Sequence, residues 1–224
     1  MSAIEVQAKC AIFDMDGTLI DTTRAITDHW EEYASKHGLD ANEIMKMSHG
    51  RPMLETMKHW TPEHATPEIS AKYERRLALN ANGVALAAGS AKLIESIPRD
   101  RFGMFTGAKT FTAEQRLSQC EIEKPASFVT ADMISRGKPD PEGWVLAAKN
   151  LGYEAKDCVA FEDSTVGVQA AKAAGMYTVA CLSTNTFNNL KAAGADYIVK
   201  DLSEVNAEII ESGNLKITIS SSVM

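Results

Sequence analysis

From residue 102 onward, short apolar segments alternate along the chain with segments long enough to form a helix. Apolar segments of this length are typical of strands that are buried on both sides. Their alternation with helices predicts an α/β fold, a Rossmann-like doubly wound parallel sheet with helices on both faces. The predicted strands are Phe102–Phe105, Phe128–Val129, Cys158–Phe161, Tyr177–Leu182 and Tyr197–Val199, and two of the predicted helices are Pro141–Leu151 and Thr165–Ala174.

The N-terminal part of the chain has one more predicted strand, Lys9–Phe13, followed by a stretch with helical signals. Residues 41–80 carry six basic and five acidic side chains, whereas the whole chain has 23 against 30, and this shift indicates an inserted segment. We expect an all-helical domain at 18–85, inserted into a core domain formed by 1–17 and 86–224. Helix starts are predicted at Thr22 or Thr23, after Asp40, after Arg51-Pro52 and at Thr66-Pro67-Glu68, and Gly38 is predicted to end the first helix.

The C-terminal end differs from the alternating region. Ala207–Glu211 and Leu215–Ile219 flank Ser212-Gly213-Asn214, and this pattern predicts a C-terminal β-hairpin.

Composition excludes several classes of partner. The formal net charge of −7 argues against nucleic-acid binding, because neutralising phosphates needs an excess of Lys and Arg. The sequence has neither an apolar run long enough to span a membrane nor a secretory signal, so we expect a cytoplasmic protein. Its four cysteines are widely spaced, which argues against disulfides and a cysteine-metal site. The oligomeric state is left open, with a monomer or a weak homodimer expected.

The first predicted strand ends in two acids two residues apart, Asp14 and Asp16, followed by Gly17. In extended chain such residues face the same side, so both carboxylates can serve one site. A calcium loop of the EF-hand type is excluded, since Leu19 and Ala25 occupy the positions that need Gly and Glu. A solvated turn remains the alternative.

Polar residues also stand at other strand ends, where ligands bind in parallel sheets. Thr106-Gly107 offers a hydroxyl and a free amide for a phosphate oxygen, although a simple turn would look the same. Lys138, held extended by Pro139, is a candidate phosphate ligand or an ordinary surface lysine. Glu162 and Asp163 are adjacent acids whose mutual repulsion a bound Mg²⁺ ion would reduce. The alternative is that Asp163 or Ser164 only caps a helix.

Together, DMDGTL at 14–19, Thr106, Lys138 in GKPDPEG and FEDS at 161–164 resemble the four motifs of the haloacid dehalogenase-like phosphohydrolase superfamily, in the right order. The helical insert resembles the small helical cap of that superfamily. The segment 47–51, the GKPDPEG run and the terminal hairpin resemble those of 2-deoxyglucose-6-phosphate, glycerol-phosphate and sugar phosphatases.

The resemblance implies roles for individual residues. Asp14 would be the nucleophile and Asp16 the general acid and base, and Thr106, Gly107 and Lys138 would bind phosphate. Mg²⁺ would be held by Asp14, Asp16, Glu162 and Asp163, and the cap residues His49 and Arg51 would contact the substrate. Gly107 departs from the family pattern, which usually has Ser or Asn there, so one side-chain contact to phosphate is lost.

The expected function is therefore a Mg²⁺-dependent phosphatase of small sugar or polyol phosphates. One alternative is a phosphosugar mutase of the β-phosphoglucomutase type. Thr18 argues against it, because such mutases tend to have Val at this position. Another is a catalytically silent phosphometabolite sensor, which would have no need of Asp16.

Overall fold

Six parallel strands form the centre of the fold in the computed structural model, which describes residues 3–48 and 51–220. They are β2 (Cys10–Phe13), β5 (Phe102–Phe105), β6 (Ser127–Val129), β7 (Cys158–Glu162), β8 (Tyr177–Cys181) and β9 (Tyr197–Val199). Their order in the sheet is β6-β5-β2-β7-β8-β9, with every neighbouring pair parallel. The predicted parallel sheet is confirmed, with strand ends within one residue of those expected.

Alternate residues of β2 are buried on opposite faces of this sheet. Ala11 and Phe13 belong to a hydrophobic cluster with side chains of α5 (Ser90–Ser96) and α6 (Thr110–Gln119). Cys10 and Ile12 pack with α7 (Glu142–Asn150) and α8 (Thr165–Ala173), and α9 (Phe187–Ala193) follows β8. Because both faces are covered, the strands are mostly apolar rather than alternating regularly with polar residues.

A second, antiparallel sheet packs against the α5 side of the core. It consists of β1 (Ile4–Ala8), β10 (Val205–Ile209) and β11 (Leu215–Ile219) in the order β1-β11-β10. The predicted C-terminal hairpin is confirmed, although its first strand begins two residues earlier than expected. The third strand, β1, was not predicted; its buried Val6 lies in the same cluster as Ile217 and Ile219.

Four α-helices fall within residues 23–79: α1 (Thr23–His37), α2 (Ala41–Ser48), α3 (Met53–Trp60) and α4 (Pro67–Leu79). This helical segment, residues 23–79, has a hydrophobic core of its own that includes Trp30, Tyr33 and Met57. As predicted, Gly38 ends α1 in the left-handed conformation, and the Thr66 hydroxyl caps α4 by accepting from Ile69 N. α1 begins at Thr23, as predicted, but Thr22 makes no side-chain cap; instead, Asp21 Oδ1 accepts from Thr23 N (2.9 Å).

Two connections hold the ends of the helical segment against the core. The short strands β3 (Ile20–Asp21) and β4 (Ala85–Leu86) pair antiparallel, which the sequence did not predict. At the end of α4, the buried Arg116 of α6 donates to Asn80 O (2.7 Å) and Leu77 O (2.9 Å). These bonds add donors to carbonyls at the end of the helix, where donors within the helix run out. Among the described residues, no helix is long and apolar enough to cross a membrane.

A buried histidine should make the stability of this segment depend on pH. His29 is 8% exposed and packs between the rings of Trp30 and Tyr73, and burial lowers its pKa to about 4, against the opposing effect of Glu32. The unfolded chain takes up this proton near pH 6.5, so stability falls as the pH drops from 6.5 toward 4. From pH 7.5 to 5 we expect His29 to lower the free energy of unfolding by about 2 kcal/mol.

Urea unfolding at both pH values, with wild-type chain and His29→Leu, measures this contribution. The pH dependence should shrink in His29→Leu and stay unchanged in His59→Gln, a change at an exposed histidine on α3. An equal pH dependence in all three proteins would contradict the assignment.

Candidate active site

The predicted site residues meet at the edge of the central sheet where its parallel strands end. Asp14 follows β2, Thr106 follows β5, and Glu162 and Asp163 stand at the end of β7. Since β2 pairs directly with both β5 and β7, these side chains come from adjacent strands. The edge therefore collects four polar residues that are separated by up to 149 positions in the chain.

Lys138 reaches this edge from the loop between β6 and α7. Its Nζ atom donates to Asp14 Oδ1 (2.5 Å) and to Glu162 Oε1 (2.5 Å). The side chains are almost fully buried, with 1% exposure for Lys138, 8% for Asp14 and 0% for Glu162. An ammonium group has three N–H donors, so these two contacts leave one for another acceptor. Lys138 is thus a built-in part of the site and not an ordinary surface lysine.

The charges at this edge are strongly coupled. Burial raises the pKa of Asp14 well above its ordinary value; Lys138 lowers it, and Glu162 and Asp163 raise it. Burial opposes the charge of Lys138, yet Asp14 and Glu162 together raise the pKa of its ammonium group above the ordinary value. Lys138 therefore stays charged, and a further cation beside Asp14 would favour the carboxylate form.

Glu162 is held on both of its oxygens. While Oε1 accepts from Lys138, Oε2 accepts from the backbone N–H groups of Asp163 (2.6 Å) and Ser164 (2.5 Å). The carboxylate lies against Gly167 in α8, where a Cβ atom would stand 1.7 Å from Glu162 Oε1. Ser164 caps α8 by accepting from Gly167 N, so this strand end contains both a helix cap at Ser164 and the ion pair of Glu162 with Lys138.

Asp163 is fully buried and is held differently, by hydroxyl groups. The Thr18 hydroxyl donates to Asp163 Oδ1 (3.1 Å), and the Thr184 hydroxyl donates to Asp163 Oδ2. Gly17, with φ of +88°, forms the turn beside it, and a Cβ there would stand 2.2 Å from Asp163 Oδ2. The glycine of the Asp-Gly pair is therefore needed both for its backbone conformation and for space.

The acids could hold a divalent metal ion. Asp14, Glu162 and Asp163 each offer a carboxylate oxygen within 4.8 Å of the others. Three ionised carboxylates and the one ammonium of Lys138 carry a formal charge of −2, which a divalent cation would balance. Donor sets made only of oxygen suit Mg²⁺ or Ca²⁺ better than a softer metal.

A cleft with about 950 Å³ of space, part of it open to solvent, lies between the sheet edge and the helical segment. The sheet edge contributes Asp14, Asp16, Thr106 and Gly107 to its lining, and the helical segment and its loops contribute Trp30, Arg51, Met53 and Leu77.

The two residues predicted to contact substrate from the helical segment have different outcomes. Arg51 lies in the loop between α2 and α3, is exposed, and lines the cleft. His49 lies outside the described residues, so its proposed contact remains a prediction. Across the same cleft, Glu74 of α4 forms an ion pair of 2.7 Å with Lys109, just before α6.

Sequence reasoning missed the loop after β8, residues 183–185. Besides the contact from Thr184 to Asp163, Ser183 Oγ donates to Gly17 O (2.5 Å) and Asn185 Nδ2 donates to Asp163 O (3.1 Å). The expectation that ligand sites lie at strand ends applies to β8 as well and would have pointed to this loop. Sequence reasoning also missed Arg116, because its burial depends on the packing of α4 over α6.

Residues 8–175 match the family described as haloacid dehalogenase-like hydrolase. The chain is similar to 2-deoxyglucose-6-phosphate phosphatase 2 of Saccharomyces cerevisiae, with 32% identity over 87% of this chain and 88% of the relative. It is also similar to hexitol phosphatase A of Escherichia coli, with 29% identity over 78% of this chain and 83% of the relative. Among solved structures, a hydrolase from Pseudomonas syringae matches with a TM-score of 0.76 and 25% identity, covering 87% of this chain and 94% of that one.

Proposed function

Because the chain belongs to the haloacid dehalogenase-like hydrolase family, we propose that it is a Mg²⁺-dependent phosphatase of small sugar or polyol phosphates. The observation that carries this proposal is the buried pair of Asp14 and Lys138, which lies beside two further acids and of which Asp14 lines the cleft. The relatives named 2-deoxyglucose-6-phosphate phosphatase 2 and hexitol phosphatase A support the reaction class.

Asp14 is the proposed nucleophile. Its carboxylate oxygen attacks phosphorus in line, a bond from aspartate to phosphorus forms, and the bond from phosphorus to the substrate oxygen breaks. Asp16, half-buried in the lining of the same cleft, donates a proton to the leaving alkoxide. It then takes a proton from the water that cleaves the aspartyl-phosphate, so phosphate is released and both acids return to their first state.

The phosphoryl oxygens would be held by groups that the site already orients. The third N–H of Lys138, the Thr106 hydroxyl and the backbone N–H of Gly107 are the proposed donors. Asp14, Asp163 and the backbone carbonyl of Asp16 would hold Mg²⁺, with Glu162 beside them. The bound ion supplies positive charge between the carboxylate and the phosphate.

The helical segment is the proposed cap domain, with boundaries at 18–85 and the core at 1–17 and 86–224. Its own hydrophobic core and the short β3–β4 pair at its base support this division. Arg51 and His49 are proposed to contact the sugar or polyol from the cap. Closing the cleft over the substrate would exclude bulk water from the reacting groups.

A screen of phosphate esters tests the proposal. Purified chain is incubated with 2-deoxyglucose 6-phosphate, glycerol 1-phosphate, a hexitol phosphate and p-nitrophenyl phosphate, with Mg²⁺ or with EDTA. We expect release of inorganic phosphate that EDTA abolishes and Mg²⁺ restores. Isomerised sugar phosphate without release, detected by NMR, would indicate a mutase instead, and binding without any turnover would indicate a sensor.

A further inference from the structure

The loop after β8, residues 183–185, makes four hydrogen-bond contacts to the acidic end of the site, one of them from the Thr184 hydroxyl to Asp163 O (3.3 Å). Thr184 and Asn185 bind the side chain and the backbone carbonyl of Asp163, and Ser183 binds the carbonyl of Gly17. Asn185 Nδ2 also approaches Thr184 Oγ1 (3.4 Å) as a donor. The Thr184 hydroxyl can then accept from Asn185 and direct its own proton to Asp163 Oδ2.

The two buried acids at the end of β7 are held by groups of different charge. Glu162 faces an ammonium group and two backbone amides, so a full positive charge is already beside it. In contrast, the oxygens of Asp163 accept hydroxyl protons from Thr18 and Thr184. A hydroxyl fixes the orientation of a carboxylate and adds no positive charge of its own.

The packing around Thr184 restricts where the carboxylate can lie. A Cβ atom on Gly17 would stand 3.0 Å from Thr184 Cγ2 and 2.2 Å from Asp163 Oδ2. The threonine methyl group and the carboxylate are therefore both pressed against the Gly17 turn. The Thr184 side chain thus supplies both a hydrogen-bond donor and a packing methyl group. Valine would keep the methyl group and remove the donor.

We propose that Thr184 is a positioning residue that sets the affinity of the site for Mg²⁺ by fixing the Asp163 carboxylate. This inference rests on the proposed function, since it takes Asp163 as a metal ligand. Partners that orient a metal ligand commonly contribute 10- to 100-fold to affinity. Loss of the Thr184 hydroxyl is expected to weaken Mg²⁺ binding, and turnover should fall because less of the protein holds Mg²⁺.

The test is Mg²⁺ binding by isothermal titration calorimetry, without substrate, for wild-type chain, Thr184→Val and Thr184→Ser. We expect Thr184→Val to raise the Kd for Mg²⁺ about tenfold and Thr184→Ser, which keeps the hydroxyl, to stay within about twofold of wild type. Thr186→Val is the matched control, because Thr186 lies two residues away and only caps α9, by accepting from Asn189 N. It should leave the Kd unchanged.

Circular dichroism without Mg²⁺ establishes that each variant is folded, and Thr184→Ala replaces the valine variant if that one is not. Equal Mg²⁺ affinity in Thr184→Val and wild type would overturn the inference while leaving the proposed function intact. Absence of Mg²⁺ binding in the wild-type chain would overturn both.

Discussion

Replacing Asp14 with asparagine is expected to lower the rate of phosphate release by about 10⁴-fold or more, to the background of the assay. A carboxamide oxygen is a far weaker nucleophile than a carboxylate, and the variant cannot form the same acyl phosphate. The fold should survive, because Lys138 keeps its contact to Glu162 and the side chains have nearly the same shape. Initial rates with Mg²⁺ and an aryl phosphate, together with circular dichroism, measure both effects.

The matched control for this variant is Asp157→Asn. Asp157 is an exposed aspartate just before β7, at the end of that strand opposite to Glu162 and Asp163. It makes the same chemical change and should retain wild-type activity. Undiminished turnover in Asp14→Asn would remove Asp14 from the mechanism, whereas an unfolded Asp14→Asn protein would show that its carboxylate has a structural role.

Substituting methionine for Lys138 is expected to damage both stability and activity. The change leaves Asp14 and Glu162 buried together without their ammonium partner, which typically costs about 3–5 kcal/mol in the free energy of unfolding. The rate should fall by about 10³-fold, because a charged donor to the phosphoryl group is lost. Urea unfolding at pH 7.5 and initial rates with saturating Mg²⁺ are the measurements.

This loss of stability should depend on pH in a defined direction. Without Lys138, the pKa of Asp14 rises further above its unfolded value, so the folded variant binds more protons than the unfolded chain. The deficit should therefore shrink as the pH is lowered from 7.5 toward 5. The exposed pair of Lys156 and Glu154 provides the control, and Lys156→Met should unfold like wild type at both pH values. A deficit that grows on acidification would contradict the buried pairing of Lys138.

The sequence predicted the parts of the fold and site that depend on short-range patterns. Apolar strands bounded by turn residues specify the parallel sheet, and Thr66-Pro67 specifies the start of α4 because capping is a local interaction. Asp14 and Lys138 were predicted for the same reason: each follows an identifiable strand or is fixed by a neighbouring proline. The parallel topology then brings them together without further information.

What could not be predicted depends on contacts between distant segments. Thr184 is one hydroxyl in a loop, and nothing in its neighbours reveals that Asp163 lies against it. Arg116 has the pattern of an exposed helical arginine until α4 covers it. Glu162 and Asp163 are equivalent as consecutive acids in a sequence, and only the positions of Lys138 and of the hydroxyl groups distinguish their surroundings.

The contact between Glu162 and Gly167 restricts which substitutions the two positions can accept. Because the carboxylate occupies the space of a missing side chain on α8, residue 167 cannot enlarge unless residue 162 becomes shorter. The two positions are therefore expected to change together or not at all, in natural variation and in redesign alike. Since Glu162 also holds Lys138, and Lys138 contacts Asp14, a change at this glycine would reach Asp14 through Glu162 and Lys138.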